Sequence, residues 1–522
     1  MLSDCFPAAP AVRPTLWLSV WAGLVWAGLV FGSVATTAAD DPALALENTL
    51  TKVIEQAESS VVSIAKVRPA PADFDVIDIA PLERIRPFPH ANGPPNDPEN
   101  PDFQPNNFGA GILIAGPRPN ERIVLTNYHV VFGGPVFPAH EAKDGSKLYV
   151  RFTDRRGCLA SIIAADPRSD LAALALNLEA ARIDAGDLKP LDWMASAPVR
   201  KGQLVIMLGN PYALAHDGSP SASWGMVANL ARRPLPWSED HKTQTMMYRL
   251  GSLIQIDGRL NLGTSGGPLL NLKGELVGLT TSLAAIEGYE KSAGFAIPMD
   301  NLTRRVVKSL VAGHEVEYGM LGVGPVTETP SEFRSRNTGV KQASAVRVHR
   351  VALDSPAYRA GIVEGDLILS VGDVPTYSDS DLMRIVGSHP PESDVDVLLW
   401  RSRGDHGLKT IKVTLGKWSV MDDEGIIETS PRYAPWRGIS VDYSTGRKKY
   451  QAGDERYRRA VVVTKVAESS PAEAAGIQPG VFISEVNRIP VRTPREFAEA
   501  TKQTRGPVEL RLYEGGKITI GE

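Results

Sequence analysis

Between Gly109 and Met299 the apolar residues of this chain come only in short runs, each cut by Gly, Asn, Pro or Asp. The runs at 112–114, 123–125, 148–152, 204–208 and 276–279 are typical. A surface helix needs an apolar stripe of period about 3.6 sustained over ten or so positions, and this punctuation forbids it. Many short strands are what remains, closed into a barrel or stacked as a sandwich. Two stretches flank the region with helical spacing. One is 44–58, where Leu46, Leu50, Val53 and Ile54 share a face; the other is 300–312, with Leu302, Val306, Leu310 and Val311. A strand is expected at 61–67. The Pro/Asn-rich stretch 68–107 that follows is expected to be an inserted exposed loop.

The last third repeats itself. S-P-A-Y-R-A-G-I-V-E-G-D-L-I-L-S-V-G-D-V-P starts at Ser355, and S-P-A-E-A-A-G-I-Q-P-G-V-F-I-S-E-V-N-R-I-P starts at Ser470. Pro356 matches Pro471, Gly361 matches Gly476, Gly365 matches Gly480, Ile368 matches Ile483 and Pro375 matches Pro490. Two copies are too few for a solenoid, so they read as two similar domains of about 100 residues each. The expected division is a leader at 1–39, a β-rich domain at 40–315, the first repeat at 316–417, a linker at 418–433 and the second repeat at 434–522.

The leader bears on compartment. Arg13 precedes an apolar run at 16–34 that carries Trp17, Trp21 and Trp26, and Thr37 and Ala39 then offer a small-residue cleavage pattern. The run also approaches the ~20 residues that span a bilayer, so an exported protein and an anchored one both fit. Of the two cysteines, Cys5 lies in the leader and Cys158 stands alone in the body, so no intrachain disulfide is expected. Ligand-spaced His/Cys groups are missing from the sequence, which argues against a structural metal, and no cofactor motif is present. A formal net charge of −4 without a long basic run gives no reason to expect nucleic acid.

Three motifs carry chemistry. In G-T-S-G-G-P-L, residues 263–269, the glycines permit a tight turn that aims the N–H groups around Ser265 at one point, as an oxyanion hole requires. L-T-N-Y-H-V-V, 125–131, puts His129 at the end of an apolar strand, where an imidazole with a near-neutral pKa can act as a base. D-P-R-S-D-L-A-A-L-A-L, 166–176, puts Asp170 directly before another strand, with Asp166 as the local competitor for the role of orienting acid. Singly, each is an ordinary turn or core residue. Together they run in the order His, Asp, Ser through strand-rich sequence, which is the chymotrypsin-type order; the α/β-hydrolase order, Ser before Asp before His, is different.

With G-A-G-I-L-I at Gly109, G-N-P-Y at Gly209, I-Q-I-D at Ile254 and G-F-A-I-P at Gly294, these motifs resemble the HtrA (Deg) family of serine proteases, and the repeat resembles that family's paired PDZ domains. The resemblance implies a mainly β chain: a chymotrypsin-type double six-stranded β-barrel followed by two PDZ domains. It implies His129 as base, Asp170 as orienting acid and Ser265 as nucleophile, with the backbone of Gly263, Thr264 and Ser265 as oxyanion hole. Thr264 stands where the family commonly has Asn, and Leu262 where it often has Pro. Arg259, six residues before Ser265, is a candidate S1 determinant or a surface salt-bridge partner. PDZ domains add a peptide C-terminus as a strand to a sheet edge and capture its carboxylate with main-chain N–H groups. The loops implied are Met320, Leu321, Gly322 and Val323, and then Arg437, Gly438 and Ile439 after Trp436. Arg437 replaces an apolar residue there, so its pocket is in question, though a cation beside a carboxylate could help.

The function implied is an ATP-independent endopeptidase of the cell envelope that cleaves unfolded or damaged proteins, assembled as trimers or multiples of trimers. A non-proteolytic chaperone or scaffold is the alternative, and an esterase a third reading.

Overall fold

The computed structural model of the protein describes residues 41–67, 97–100, 103, 105, 107–132, 146–194, 198–210, 218–232, 253–258, 260–281, 293–402, 404, 406–420, 427–451 and 457–522. The leader, most of the Pro-rich stretch and Arg259 lie outside the described residues.

A helix at Pro42–Ala57 opens the described chain. Two closed six-stranded barrels follow. The first is built from β1 (Val61–Val67), β2 (Asn107–Ala115), β3 (Arg122–Asn127), β4 (Lys147–Arg151), β5 (Gly157–Asp166) and β6 (Leu171–Leu176). Its order is β5-β4-β1-β2-β3-β6, and a β5–β6 pairing closes it, with a register shift between Ile162 and Ala164. The second contains β7 (Leu204–Gly209), β8 (Ser221–Arg232), β9 (Leu253–Ile256), β10 (Pro268–Asn271), β11 (Leu276–Thr281) and β12 (Gly294–Pro298), closed in the order β10-β11-β12-β9-β8-β7.

The unbroken apolar runs have a physical cause. Side chains alternate faces along a strand, and these strands are buried on both. On β2, Leu113 points into the first barrel's core beside Val62, Val124 and Leu174, whereas Ile112 and Ile114 join a second cluster lying between the barrels. On β7, Val205 and Met207 fill the second barrel with Ile254 and Leu269, whereas Ile206 and Leu208 face the shared cluster. Val306, Val307 and Leu310 of the Asn301–Val311 helix complete that cluster. The Asp300 carboxylate caps this helix, accepting from Thr303 N–H at 2.9 Å.

Each repeat forms a small sheet. The first has the order β14 (Val323–Thr327), β15 (Val346–Val351), β16 (Leu367–Val371), β18 (Asp394–Arg401), β19 (Gly407–Thr414), with β17 (Val374–Pro375) on β16. Two short strands, β13 (Gly319–Met320) and β20 (Gly416–Lys417), pair at its base. The second has the order β22 (Ile439–Tyr443), β23 (Val461–Val466), β24 (Phe482–Val486), β26 (Val508–Leu512), β27 (Lys517–Ile520), with β25 (Ile489–Pro490) on β24. The repeated S-P-A segment starts the same short helix in both. Ser355 and Ser470 cap it by accepting from Tyr358 and Glu473 N–H groups, and a proline occupies its first turn.

The stretch between the repeats, expected to be a linker, contributes β21 (Ile427–Glu428). This strand adds to the first barrel's sheet, pairing Ile427 with Ala165 and Glu428 with Ala164. Beside it lies a buried ionic junction. Lys417 Nζ meets Asp442 at 2.9 Å and Glu315 at 3.0 Å, and Arg447 meets Glu315 at 2.6 Å and Asp442 at 2.9 Å. It ties the end of the two-barrel domain, at Glu315, to both repeats. Cys158 is buried, which pushes its thiol up to about 11. Among the described residues, no helix is long and apolar enough to cross a membrane.

Candidate active site

β3 ends at Asn127 and turns directly into the short Tyr128–Phe132 helix, which carries His129. Val130, Val131 and Phe132 are buried in the first barrel's core, and the Tyr128 and Phe132 rings stack at 4.4 Å, so the helix cannot rotate freely. Asp170 occupies the turn between β5 and β6 in a left-handed conformation, φ 55°. Its carbonyl accepts from Tyr128 N–H and Asn127 Nδ2, both at 3.0 Å, which stitches the turn to the root of the histidine helix.

The buried Asp170 carboxylate takes three further donors. His129 Nδ1 lies 2.9 Å from Oδ2 and 3.0 Å from Oδ1, His129 N–H donates to Oδ1 at 3.1 Å, and Thr281 Oγ1 donates to Oδ2 at 3.4 Å. An ionised carboxylate only accepts, so a neutral His129 holds its hydrogen on Nδ1 and keeps the Nε2 lone pair available. Asp166, the competing acid, does different work. Its buried carboxylate accepts from Arg168 Nε at 2.9 Å, Ser169 N–H at 3.1 Å and the Tyr318 hydroxyl, folding the turn that presents Asp170.

Ser265 is buried in the turn that leads into β10, and both barrels hold that turn. Its carbonyl accepts from Ala110 N–H of β2 at 2.8 Å, and Gly266 N–H donates to Thr280 of β11 at 2.9 Å. The serine therefore stands where the two barrels meet. Just before it, Thr264 N–H closes on Asn261 O at 3.2 Å, with Gly263 at φ 96° in the third position of the turn. A positive φ there, after a residue with negative φ, makes a type II turn, whose central peptide is turned over relative to type I. Among the described residues no carbonyl takes the Gly263 N–H. A Cβ on Gly263 would stand 2.2 Å from Asn210 O and 2.8 Å from the Phe108 ring, so only glycine fits. Thr264 sends its hydroxyl back to Asn261 O at 2.8 Å and contributes backbone alone.

In the first repeat, Leu321 is buried in the core, Gly322 has φ 80° and Val323 begins β14, an edge strand. Met320 Sδ accepts the Tyr457 hydroxyl at 3.1 Å. The second loop is built differently. Arg437 (φ 47°) and Gly438 (φ 89°) form the centre of a type I′ turn, closed by Trp436 N–H to Ile439 O at 3.0 Å and Ile439 N–H to Trp436 O at 2.8 Å. The Arg437 guanidinium turns to the chain's end, donating to Ile520 O at 2.9 Å, Gly521 O at 2.6 Å and Gly506 O at 2.7 Å. It is a tether for the C-terminus in this structure. A cavity between β22 and the Pro494–Thr501 helix, lined by Ile439, Val441 and Phe497, is walled on its far side by Arg432 and Tyr433 of the connecting segment.

Sequence reasoning missed Thr281, Asn127 and the Tyr318–Asp166–Arg168 support. Thr281 lies 111 positions from Asp170, and nothing in its local sequence marks it.

Comparison with known proteins agrees with this architecture. The family described as a trypsin-like peptidase domain matches residues 109–279, and the PDZ domain matches residues 347–401 and 462–514. A probable periplasmic serine endoprotease, DegP-like, from Pseudomonas fluorescens is 28% identical over 487 residues, covering 90% of this chain and 92% of that protein. A protein of the same description from Chlamydia trachomatis is 27% identical over 410 residues, covering 78% and 73%. Among solved structures, the HtrA-type protease AlgW with a decapeptide is similar over 70% of this chain and 98% of its own, at 21% identity and a TM-score of 0.48. The serine endoprotease from Yersinia pestis is similar over 70% and 97%, at 22% identity and a TM-score of 0.41. The chain belongs to the HtrA (Deg) family of serine endoproteases, with a trypsin-like peptidase domain followed by two PDZ domains.

Proposed function

We propose that Ser265, His129 and Asp170 form the catalytic triad of this endopeptidase and that it cleaves unfolded or damaged proteins of the cell envelope. His129 Nε2 removes the Ser265 proton as Oγ attacks the scissile carbonyl carbon. The imidazolium then returns that proton to the departing amine, and water repeats the sequence to release the acyl group. Asp170 holds the imidazole in the required tautomer and stabilises its cationic form. The oxyanion is received by the N–H groups of Gly263 and Ser265, each such donor being worth ~2.7–4 kcal/mol in the transition state. The single observation that carries this reading is the Asp170 carboxylate, on which three donors converge, His129 Nδ1, His129 N–H and Thr281 Oγ1.

The 320–323 loop and edge strand β14 support binding of a peptide C-terminus by strand addition. The second repeat offers less, because the Ile439 N–H is already taken by Trp436. Export to the periplasm, by cleavage of the leader or with residues 16–34 as anchor, and assembly as trimers or their multiples are proposed from kinship with the DegP-like proteins.

The test is hydrolysis of casein and of a small nitrophenyl ester by the protein lacking residues 1–39, wild type beside Ser265→Ala. Casein fragments should accumulate with wild type alone. Ester hydrolysis without casein cleavage would indicate an esterase. Peptide binding with neither activity, even after a C-terminal peptide is added, would indicate a scaffold.

A further inference from the structure

The two repeats share a design around their loop glycines, and they differ in one respect. In both, a Cβ on the glycine would meet the capping serine: Ser355 Cβ at 2.4 Å from Gly322, and Ser470 Cβ at 2.3 Å from Gly438. At Gly438 the three atoms nearest the Cβ position all belong to its own repeat, two on Ser470 and then Ala467 Cβ at 3.4 Å. Gly322 is covered from outside: the Tyr457 phenol oxygen lies 3.1 Å from its Cβ position. Tyr457 belongs to the second repeat, just before β23, and is 137 positions from Met320, whose Sδ accepts its hydroxyl.

Two further contacts hold the tyrosine there. Its N–H donates to Leu353 O at 2.9 Å, next to Ala352, whose own N–H binds Gly322 O at 3.0 Å. Arg459, two residues on, faces Asp354 at 3.8 Å. We propose that Tyr457 is a plug on the peptide-carboxylate loop of the first PDZ domain, so that the second domain holds the first shut. The inference rests on reading 320–323 as that loop. A carboxylate and the phenol compete for the space over Gly322, so a peptide enters only as the two domains part. The contacts are individually weak: a thioether is a poor acceptor, and the Arg459–Asp354 pair is long and half exposed. The plug is therefore reversible, and it lowers apparent affinity by the fraction of time it is open.

The test is equilibrium binding of a fluorescein-labelled decapeptide ending in a free Val carboxylate, beside the same peptide amidated. The protein lacks residues 1–39 and carries Ser265→Ala so that the peptide survives. Tyr457→Ala and, as an exposed alternative that leaves the domain cores intact, Arg459→Glu are compared with this parent. Each should bind the free acid about tenfold more tightly and gain nothing for the amide, as expected if the parent is open about one-tenth of the time. If the parent matches both variants and still prefers acid over amide, the plug is overturned and the loop reading stands. If no protein distinguishes acid from amide, the loop reading falls and the plug with it. An equal gain for both peptides places the effect away from the carboxylate and also overturns the plug.

Discussion

A left-handed backbone costs a non-glycine residue about 1 kcal/mol or more, and Asp170 adopts it at the centre of the site. The two hydrogen bonds to its carbonyl and those to its carboxylate hold it there. Asp170→Asn tests what the charge adds beyond geometry. An amide can donate to His129 Nδ1 and leave the hydrogen on Nε2, the wrong tautomer for a base. The rate of casein cleavage should fall by about 10⁴, as in the trypsin case that defines this triad, with the fold unchanged by circular dichroism. Retention of most activity would remove Asp170 from the mechanism. Gly263→Ala should cost about 10²–10³ in kcat, because a methyl group cannot coexist with Asn210 O and the turn must lose the Gly263 donor. Near-normal kcat would mean that donor is not used. The pairing of His129 with Asp170 was legible because three weak motifs, with Ser265 in the third, fell in one order. Asp170 over Asp166 was legible from its abutment on a strand, whereas Asp166's support of the turn was not, because its partner Tyr318 lies 152 positions away.

At the scale of elements, the barrel strands were legible from run length and punctuation, and the repeats from alignment of their glycines and prolines. The ionic junction was hidden, since periodicity predicts which residues are buried from their apolarity and Glu315, Lys417 and Asp442 violate it. Burial alone would push the Glu315 carboxyl up, but Lys417, Arg447 and Arg168 outweigh it and hold Glu315 down at about 2. Burial likewise works against the Lys417 ammonium, and Asp442, Glu315 and Glu317 raise its pKa. Glu317, with fewer cations close by, is raised by burial. A depressed carboxyl stabilises the fold fully above its unfolded value, near 4.5, and loses that contribution as pH falls toward about 2. Glu315→Gln should therefore flatten the acid limb of a denaturation-versus-pH curve in that window. It should also lower stability at neutral pH by about 3–5 kcal/mol, since Lys417, Arg447 and Arg168 lose a partner. An unchanged acid limb would contradict this assignment. Arg437→Ala should lower the stability of the second repeat by about 1–3 kcal/mol, through the carbonyls of Gly506, Ile520 and Gly521, while leaving peptide affinity unaltered. A loss of affinity with unchanged stability would restore its role as a carboxylate partner.

For the molecule as a whole, β21 and the ionic junction make the domains interdependent. Neither was legible, because β21 is only two residues long and lies in what reads as a linker. Removing residues 434–522 strips Asp442 and Arg447 from Lys417 and Glu315, leaving charges that were matched in the dry junction. The remaining protein should melt roughly 5–10 °C lower by calorimetry, although every barrel strand is still present. Domains that merely share a chain would leave the melting of the peptidase domain unmoved. The same closeness of the repeats brings Tyr457 to Gly322, so stability and access to peptide are linked by one packing arrangement.

The most direct measurement of the central claim is covalent labelling by a fluorophosphonate probe, located by peptide mass spectrometry on the protein lacking residues 1–39, with and without a C-terminal peptide. Such a probe needs an activated serine and an oxyanion hole together. The account predicts a single adduct on Ser265, abolished by His129→Ala. An adduct on another serine, or none under either condition, would contradict it.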